Sequence, residues 1–316
     1  MSRVLLVFID GVGIGRADRS ANPLIDLELL GNTLPSDWAP PVEGGRPDRL
    51  PAPVREAPLP GGGIARSTDA SLGMPGLPQS ATGQTTLFTG INAAQELGHH
   101  LYGYPGPTLR RILVEHSILK RAAAMNRRAA FLNAYHPLFF ELGEAVWERP
   151  MSASSWNNRA ASLPFMTLED VRARRALYHD FTNRDPRTRA GDLPEWSAEE
   201  AGRVLAEAAA GQDLAIYEYF LTDRVGHTGD LSAARSIVEP LDRFLGAAVR
   251  AADLSEQTIV VTSDHGNVEE MSRKSHTLNP VPTLVFGPDA ARLAEKLGRL
   301  EDFAGALLSR VGGGDS

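Results

Sequence analysis

Four short segments of this chain carry side chains able to hold divalent cations, and each ends an apolar run or closely follows one. They are Asp10; Asp223 and His227 in Asp223-Arg224-Val225-Gly226-His227; Asp264-His265; and His276 in Ser275-His276-Thr277-Leu278-Asn279-Pro280. Carboxylate oxygens and imidazole nitrogens of this kind suit Zn²⁺, Mn²⁺ or similar ions. With a shared hydroxyl, such a set is large enough for two metals. Two ions about 3.5–4 Å apart can hold the attacking and leaving oxygens of an in-line displacement at phosphorus.

Each segment taken singly has a plainer reading. Asp10 before Gly11 could be a strand-end turn residue, Asp223 and His227 a helix-capping pair, Asp264-His265-Gly266 a turn, and His276 a surface histidine. Gly11-x-Gly13-x-Gly15 after a strand invites a dinucleotide reading, but the spacing is not G-x-G-x-x-G and no acid stands at the end of a clear second strand about 20 residues on. The joint pattern is what counts, because independent accidents rarely place all these segments in this order.

Five stretches together resemble the alkaline phosphatase superfamily and, within it, the branch of cofactor-independent phosphoglycerate mutase and phosphopentomutase. They are Val7-Phe8-Ile9-Asp10-Gly11, Gln79-Ser80-Ala81-Thr82-Gly83, Asp223-Arg224-Val225-Gly226-His227-Thr228-Gly229, Thr262-Ser263-Asp264-His265-Gly266-Asn267 and His276-Thr277-Leu278-Asn279-Pro280-Val281-Pro282. They cover the two ends of the chain, roughly half its length. The resemblance implies that Asp10, Ser80, Asp264 and His265 bind one metal, that Asp223, His227 and His276 bind the other, and that Ser80 is the nucleophile. The chemistry agrees, since a serine hydroxyl is a poor nucleophile near neutral pH until a metal favours its alkoxide. A helix starting directly after Ser80 would add N–H donors for a phosphate; the plain alternative is an N-cap serine.

The departures carry information too. Gln84 stands where the mutases usually carry a His. The middle of the chain is shorter than the transferase domain of the phosphoglycerate mutases and does not align with their substrate-binding arginines and lysine. Arg184, Arg187 and Arg189 in Thr182-Asn183-Arg184-Asp185-Pro186-Arg187-Thr188-Arg189 could hold an anionic substrate, against the reading of a solvated charged loop. Lys274, just before His276, could face a transferred phosphoryl group.

The elements that must position these residues read as α/β. The apolar run 4–9 ends at Asp10 as a buried strand, where α/β sheets usually place their chemistry. Residues 35–78, rich in Pro and Gly, read as a long irregular loop. A short helix is expected from Ser80 through Phe88, another over 107–125 opened by Pro107, and a strand over 128–135. Residues 144–195 are polar, Arg-rich and the least core-like. Ser197-Ala198-Glu199-Glu200 matches a capping box ahead of a helix to about Ala210. Strands follow at 214–220, 258–263 and 282–286, with helices at 232–252, 289–298 and 301–310. The expected architecture is an alkaline-phosphatase-like α/β core with a central, mostly parallel sheet between helices. Residues 1–98 and 212–316 would form this core, and 99–211 a smaller inserted cap.

Composition bounds the function. The chain has 316 residues, 42% hydrophobic and 22% charged, ordinary for a globular protein. A net charge of −7 argues against coating nucleic acid, which needs a basic face. With no cysteine, disulfides and thiolate metal sites are excluded and a cytoplasmic location is expected. The first apolar run is too short to span a bilayer and lacks a signal-peptide cleavage pattern, so no membrane partner is expected. The expected activity is phosphoryl transfer on a small phosphorylated metabolite with two divalent ions, Mn²⁺ or Zn²⁺, through phosphorylated Ser80. Hydrolysis of a phosphomonoester leads, because the middle region is short. A phosphomutase is the alternative, and a non-catalytic metal- or phosphate-binding protein the third reading. A sulfatase is disfavoured, since Ser80-Ala81-Thr82-Gly83-Gln84 does not fit C/S-x-P-x-R.

Overall fold

The computed structural model describes residues 3–31, 56–141, 150–184 and 192–313. Its strands are β1 (Arg3–Ile9), β2 (Glu56–Pro58), β3 (Ile64–Thr68), β4 (Ala129–Phe131), β5 (Leu214–Tyr219), β6 (Gln257–Ser263) and β7 (Val281–Phe286). They form one seven-stranded sheet in the order β2-β3-β7-β6-β1-β5-β4. β6, β1, β5 and β4 pair in parallel, and β7, β3 and β2 continue the sheet by antiparallel pairing. Because β3 is antiparallel to β7, it points the same way as the parallel set, so the sheet is mostly parallel in direction.

The continuous apolar runs of β1, β5 and β6 are buried on both faces, as parallel strands covered by helices must be. The helices are α1 (Ser80–Thr89), α2 (Ala93–Leu97), α3 (Pro107–His116), α4 (Ile118–Ala124), α5 (Pro137–Glu141), α6 (Ala153–Ala160), α7 (Leu168–Arg172), α8 (Ala198–Ala210), α9 (Leu221–Gly226), α10 (Leu231–Ala251), α11 (Ala290–Glu295) and α12 (Asp302–Gly312). On one face, Leu5, Val7, Ile9, Tyr217 and Val261 pack with residues of α8 and α10. On the other, Val4, Leu6, Phe8, Ile216 and Val260 pack with residues of α1, α4 and α12.

Register decides where the chemistry sits. Ile9 lies level with Tyr219 of β5 and Ser263 of β6, so Asp10, Phe220 and Asp264 leave the sheet together at its C-terminal edge. That edge is where open α/β sheets place their ligands.

The structure changes several expectations. The helix expected over 107–125 is two helices broken at Ser117, whose backbone leaves the helical region. The Ser117 hydroxyl accepts the Lys120 N–H to open α4 and donates to Asn157 Oδ1 at 2.6 Å, which fixes α6 in the corner. The stretch 35–78 is not loop throughout: among its described residues, β2 and β3 extend the sheet. Their small residues hide the alternation, yet Thr68 Oγ1 meets Thr283 Oγ1 at 2.7 Å in the buried layer. Residues 144–195 contribute core after all, with Leu177, Phe181 and Leu193 buried and Phe181 stacked on Phe244 of α10 at 4.3 Å. The region 99–211, expected as a cap, supplies β4 to the sheet beside β5 and α8 to the layer against α10 and β1. Boundaries at 99 and 211 therefore cut through shared layers.

Candidate metal centre

The expected ligands converge at the C-terminal edge of β1, β5 and β6. Asp10 follows β1 directly. Asp223 lies on α9 and His227 caps its C-terminus, four residues on and on the same face. Asp264 and His265 follow β6, and His276 closes the loop before β7. Two sets each bring ligand atoms within 4.8 Å of one another: Asp223, His227 and His276, and Asp10, Asp223 and His265. Asp223 therefore belongs to both, instead of serving one site alone. Asp264 Oδ2 adjoins the second set, 3.6 Å from His265 Nε2.

Backbone carbonyls orient the imidazoles. His276 Nδ1 donates to Pro78 O at 2.8 Å, and His227 Nδ1 donates to Lys274 O at 3.0 Å. A carbonyl can only accept, so each ring carries a proton on Nδ1 and turns its Nε2 inward, towards the Asp223 carboxylate. These two Nε2 atoms face each other at 3.2 Å. Two lone pairs so placed need a cation or a proton between them. Asp10 Oδ1 and Asp264 Oδ2 are buried without a hydrogen-bond donor among the described residues. Inward-facing imidazole nitrogens and unpartnered carboxylate oxygens fit divalent ions of the Zn²⁺ or Mn²⁺ type, held by carbonyl-oriented rings.

Electrostatics point the same way. Burial, followed by the charges of Asp264 and Asp223, raises the Asp10 carboxyl well above the usual range. Burial and the Asp223 charge push Asp264 up to about 7. Burial, aided by His276, lowers His265 to about 3, leaving a neutral ring. Burial acts on Asp223 in the raising direction, but hydrogen bonds donated by the His276 ring and the Asn267 amide outweigh that and hold it low. Like charges confined together disfavour ionisation until a cation joins them.

Ser80 is the first residue of α1 and is buried, with Gln79 as the N-cap residue. Its Oγ lies 3.0 Å from His265 Nε2, so its side chain turns into the cluster instead of capping the helix. One turn on, Gln84 donates to Asp10 Oδ2 at 3.1 Å. The glycines after β1 serve packing: Gly11 has φ +72°, and a Cβ there would lie 2.8 Å from Asp223 Cβ. Gly13 passes equally close over Glu269, whose buried carboxylate accepts N–H bonds from Gly13 and Asn267 and side-chain bonds from Thr277 and Asn279. Glu269 thereby ties together the loops that carry Asp10, His265 and His276.

The weaker substrate assignments fare differently. Lys274 is exposed and its side chain lies beside Gly229; its part in the cluster is the carbonyl that holds His227. Arg184 pairs with Glu195 at 3.6 Å and lines a neighbouring cavity of about 670 Å³. Arg187 and Arg189 lie outside the described residues.

Residues not singled out from the sequence complete the site. A cavity of about 580 Å³ opens onto Ser80, Asp10 and Asp223, with Glu218, Tyr102 and Arg224 in its walls. Arg224 also borders the neighbouring cavity. Burial pushes Glu218 up to about 7, opposed by a hydrogen bond from Ser154. Its signal was present as the one acid inside the apolar run of β5. Arg224 was visible as the cation adjoining Asp223.

Comparison with known proteins extends the picture. Residues 191–312 match the family model of the Metalloenzyme superfamily. A 2,3-bisphosphoglycerate-independent phosphoglycerate mutase of Cereibacter sphaeroides is 47% identical over 133 residues, 39% of this chain and 26% of that protein. The same-named protein of Desulforudis audaxviator is 39% identical over 134 residues, 40% of this chain and 26% of that protein. The match thus spans about a quarter of these relatives' length. Among solved structures, the PH0037 protein from Pyrococcus horikoshii aligns with a TM-score of 0.54 at 15% identity, over 99% of this chain and 97% of that one. Alkaline phosphatase from the Antarctic bacterium TAB5 aligns with a TM-score of 0.52 at 14% identity, over 98% of each chain. Sequence and architecture therefore agree: the chain has an alkaline-phosphatase-like fold, and its residues 191–312 match the model of the Metalloenzyme superfamily.

Proposed function

We propose that this protein is a metal-dependent phosphoryl-transfer enzyme acting on a small phosphate ester through phosphorylated Ser80. The observation that carries this reading is Ser80 Oγ, 3.0 Å from His265 Nε2, at the floor of a cavity it shares with Asp10 and Asp223. Asp10, Asp264 and His265, with Ser80, would hold one divalent ion, and His227 and His276 a second, with Asp223 between them. Bound Mn²⁺ or Zn²⁺ would supply Lewis acidity, favouring the serine alkoxide and neutralising phosphoryl oxygens. Ser80 Oγ forms the new bond to phosphorus while the ester oxygen leaves with its electron pair. The first turn of α1 offers N–H donors to the phosphoryl group, and Arg224 at the cavity mouth offers a charge-assisted pair to a second anionic group.

Two outcomes share this machinery. Water can resolve phosphorylated Ser80, giving hydrolysis, or a hydroxyl of the retained product can take the group back, giving an isomer. The name shared by the relatives favours the second, so isomerisation now stands ahead of the hydrolysis expected from the short middle region. A panel of phosphorylated metabolites, assayed with Mn²⁺ and Zn²⁺ for both free phosphate and positional isomers, tests the reading. Metal-dependent turnover that Ser80→Ala abolishes is expected. Metal-loaded protein that turns over no ester, an activated aryl phosphate included, would refute it.

A further inference from the structure

Glu218 is an acid at the end of a buried strand, where an unpartnered charge is costly. Its position follows from the alternation along β5: Leu214, Ile216 and Glu218 share one face, and the first two lie in the apolar layer against Val4, Leu6 and Phe8. Glu218 stands just past that layer, 7% exposed, in the wall of the cavity that contains Ser80. Its main chain is clamped by Asn133, which accepts the Glu218 N–H and donates to the Glu218 carbonyl, both at 2.8 Å.

A chain of hydroxyls leads to its carboxylate. Ser154 Oγ donates to Glu218 Oε2. Ser154 Oγ meets Ser152 Oγ at 2.8 Å, Ser152 Oγ meets Ser155 Oγ at 2.9 Å, and Ser155 Oγ meets Tyr135 Oη at 2.7 Å. Each hydroxyl has one proton to give. Since Ser154 spends its proton on Glu218, Ser152 must donate to Ser154, Ser155 to Ser152 and Tyr135 to Ser155. Every proton in the row therefore points towards Glu218. The row runs along the start of α6, where Ser152 is the N-cap residue. It holds Oε2 in place, while Oε1 has no hydrogen-bond partner among the described residues.

We propose that Glu218 is a specificity-determining residue of this cavity: its Oε1 accepts hydrogen bonds from hydroxyl groups on the organic part of a phosphate ester and repels a carboxylate there. The assignment rests on the phosphoryl-transfer reading above and goes beyond it in naming what the non-phosphate part must carry. Of the remaining walls, Tyr102 and Tyr104, 65% and 55% exposed, add aromatic side chains suited to a ring or chain, while Arg224 is available to a separate anionic group. Ser152 adds a further hydroxyl to the same wall as Glu218.

The test compares ribose 5-phosphate, 3-phosphoglycerate and 4-nitrophenyl phosphate at pH 8 with Mn²⁺, in wild type, Glu218→Gln, Glu218→Ala and Ser154→Ala. Wild type should prefer ribose 5-phosphate, with several hydroxyls and no carboxylate, to 3-phosphoglycerate, whose single hydroxyl stands beside a carboxylate. Glu218→Ala should lower the kcat/KM ratio of ribose 5-phosphate to 4-nitrophenyl phosphate about 10- to 100-fold, the range for a lost hydrogen bond to a charged group, mainly through KM. Glu218→Gln keeps the shape and loses the charge, so it should relax discrimination against 3-phosphoglycerate by about tenfold or more. It also keeps an acceptor for Ser154, so it tests the idea even if the alanine variant fails to fold. Ser154→Ala should shift the same ratios in the same direction by less. Unchanged ratios in both Glu218 variants, or a wild-type preference for 3-phosphoglycerate, would overturn the assignment while 4-nitrophenyl phosphate turnover leaves the phosphoryl-transfer reading standing. Absence of turnover on all three esters by metal-loaded wild type would remove that reading and this assignment with it.

Discussion

Ser80 and the imidazoles divide the work of the site at the level of single atoms. Ser80 Oγ is held at His265 on the first turn of a buried helix, so replacing it would remove the proposed attacking atom and little packing. Ser80→Ala should keep its fold and metal content while kcat/KM on an aryl phosphate falls by roughly three orders of magnitude or more. Steady-state kinetics beside elemental analysis would check this, and a loss under tenfold would point to attack by water instead. His227 and His276 turn their Nε2 atoms on a shared point, with His265 stacked on His276 at 3.7 Å. His227→Ala or His276→Ala should therefore lower the bound metal from about two ions to about one per chain. Wild-type stoichiometry retained in both variants would contradict the division into two sites.

The loops that follow the strands must be fastened to one another, and Glu269 is the fastening. Gly13 N–H and Asn267 N–H bind Oε2 at 2.8 and 2.7 Å, while Thr277 Oγ1 and Asn279 Nδ2 bind Oε1. All four partners donate. A glutamine in that place would turn its amide N–H₂ group against two donors, leaving buried groups unpaired at a cost of about 2–4 kcal/mol. Glu269→Gln should accordingly lower unfolding stability by that order and weaken metal binding by about 10- to 100-fold, as loss of the groups that orient ligands does elsewhere. Urea denaturation and a metal titration measure the two effects separately. A stability loss with unaltered metal affinity would show that the loops hold the ligands without Glu269.

Across the whole molecule, the parallel half of the sheet gathers Asp10, Asp223 and Asp264 at one edge, where their like charges oppose one another. Folding without metal then works against that repulsion, and binding adds stability by mass action. Removing metal with a chelator should lower the melting temperature by several degrees, and restoring Mn²⁺ should recover it. Asp264→Asn removes one of the opposed charges. Its metal-free form should melt higher than metal-free wild type, and its gain on adding Mn²⁺ should be smaller. Scanning calorimetry of the two proteins with and without metal decides the matter, and a lower metal-free melting temperature in Asp264→Asn would contradict it. No described helix is long and apolar enough to cross a membrane.

The candidate ligand residues were readable because metal chemistry is restricted to few side chains, and because unbroken apolar runs at β1, β5 and β6 announce buried strands with ends close by. The helices α8, α10 and α12 were legible for a similar local reason, periodic apolar residues and a serine cap at Ser197. What the chain order could not express was which atoms meet. Asp223 lies in both ligand sets because register sets β5 beside β1, a contact spanning more than two hundred residues. Glu218 read as one polar residue in an apolar strand. Only the pairing of β5 with β1 and β4 turns it to the face where Ser154 and its hydroxyl row stand. The break at Ser117 was hidden because both halves of the 107–125 stretch suit a helix, and a distant partner, Asn157, gives the break its place. Local propensity and side-chain chemistry act over a few residues, whereas the site is made by the sheet, which brings loop ends together irrespective of their distance along the chain.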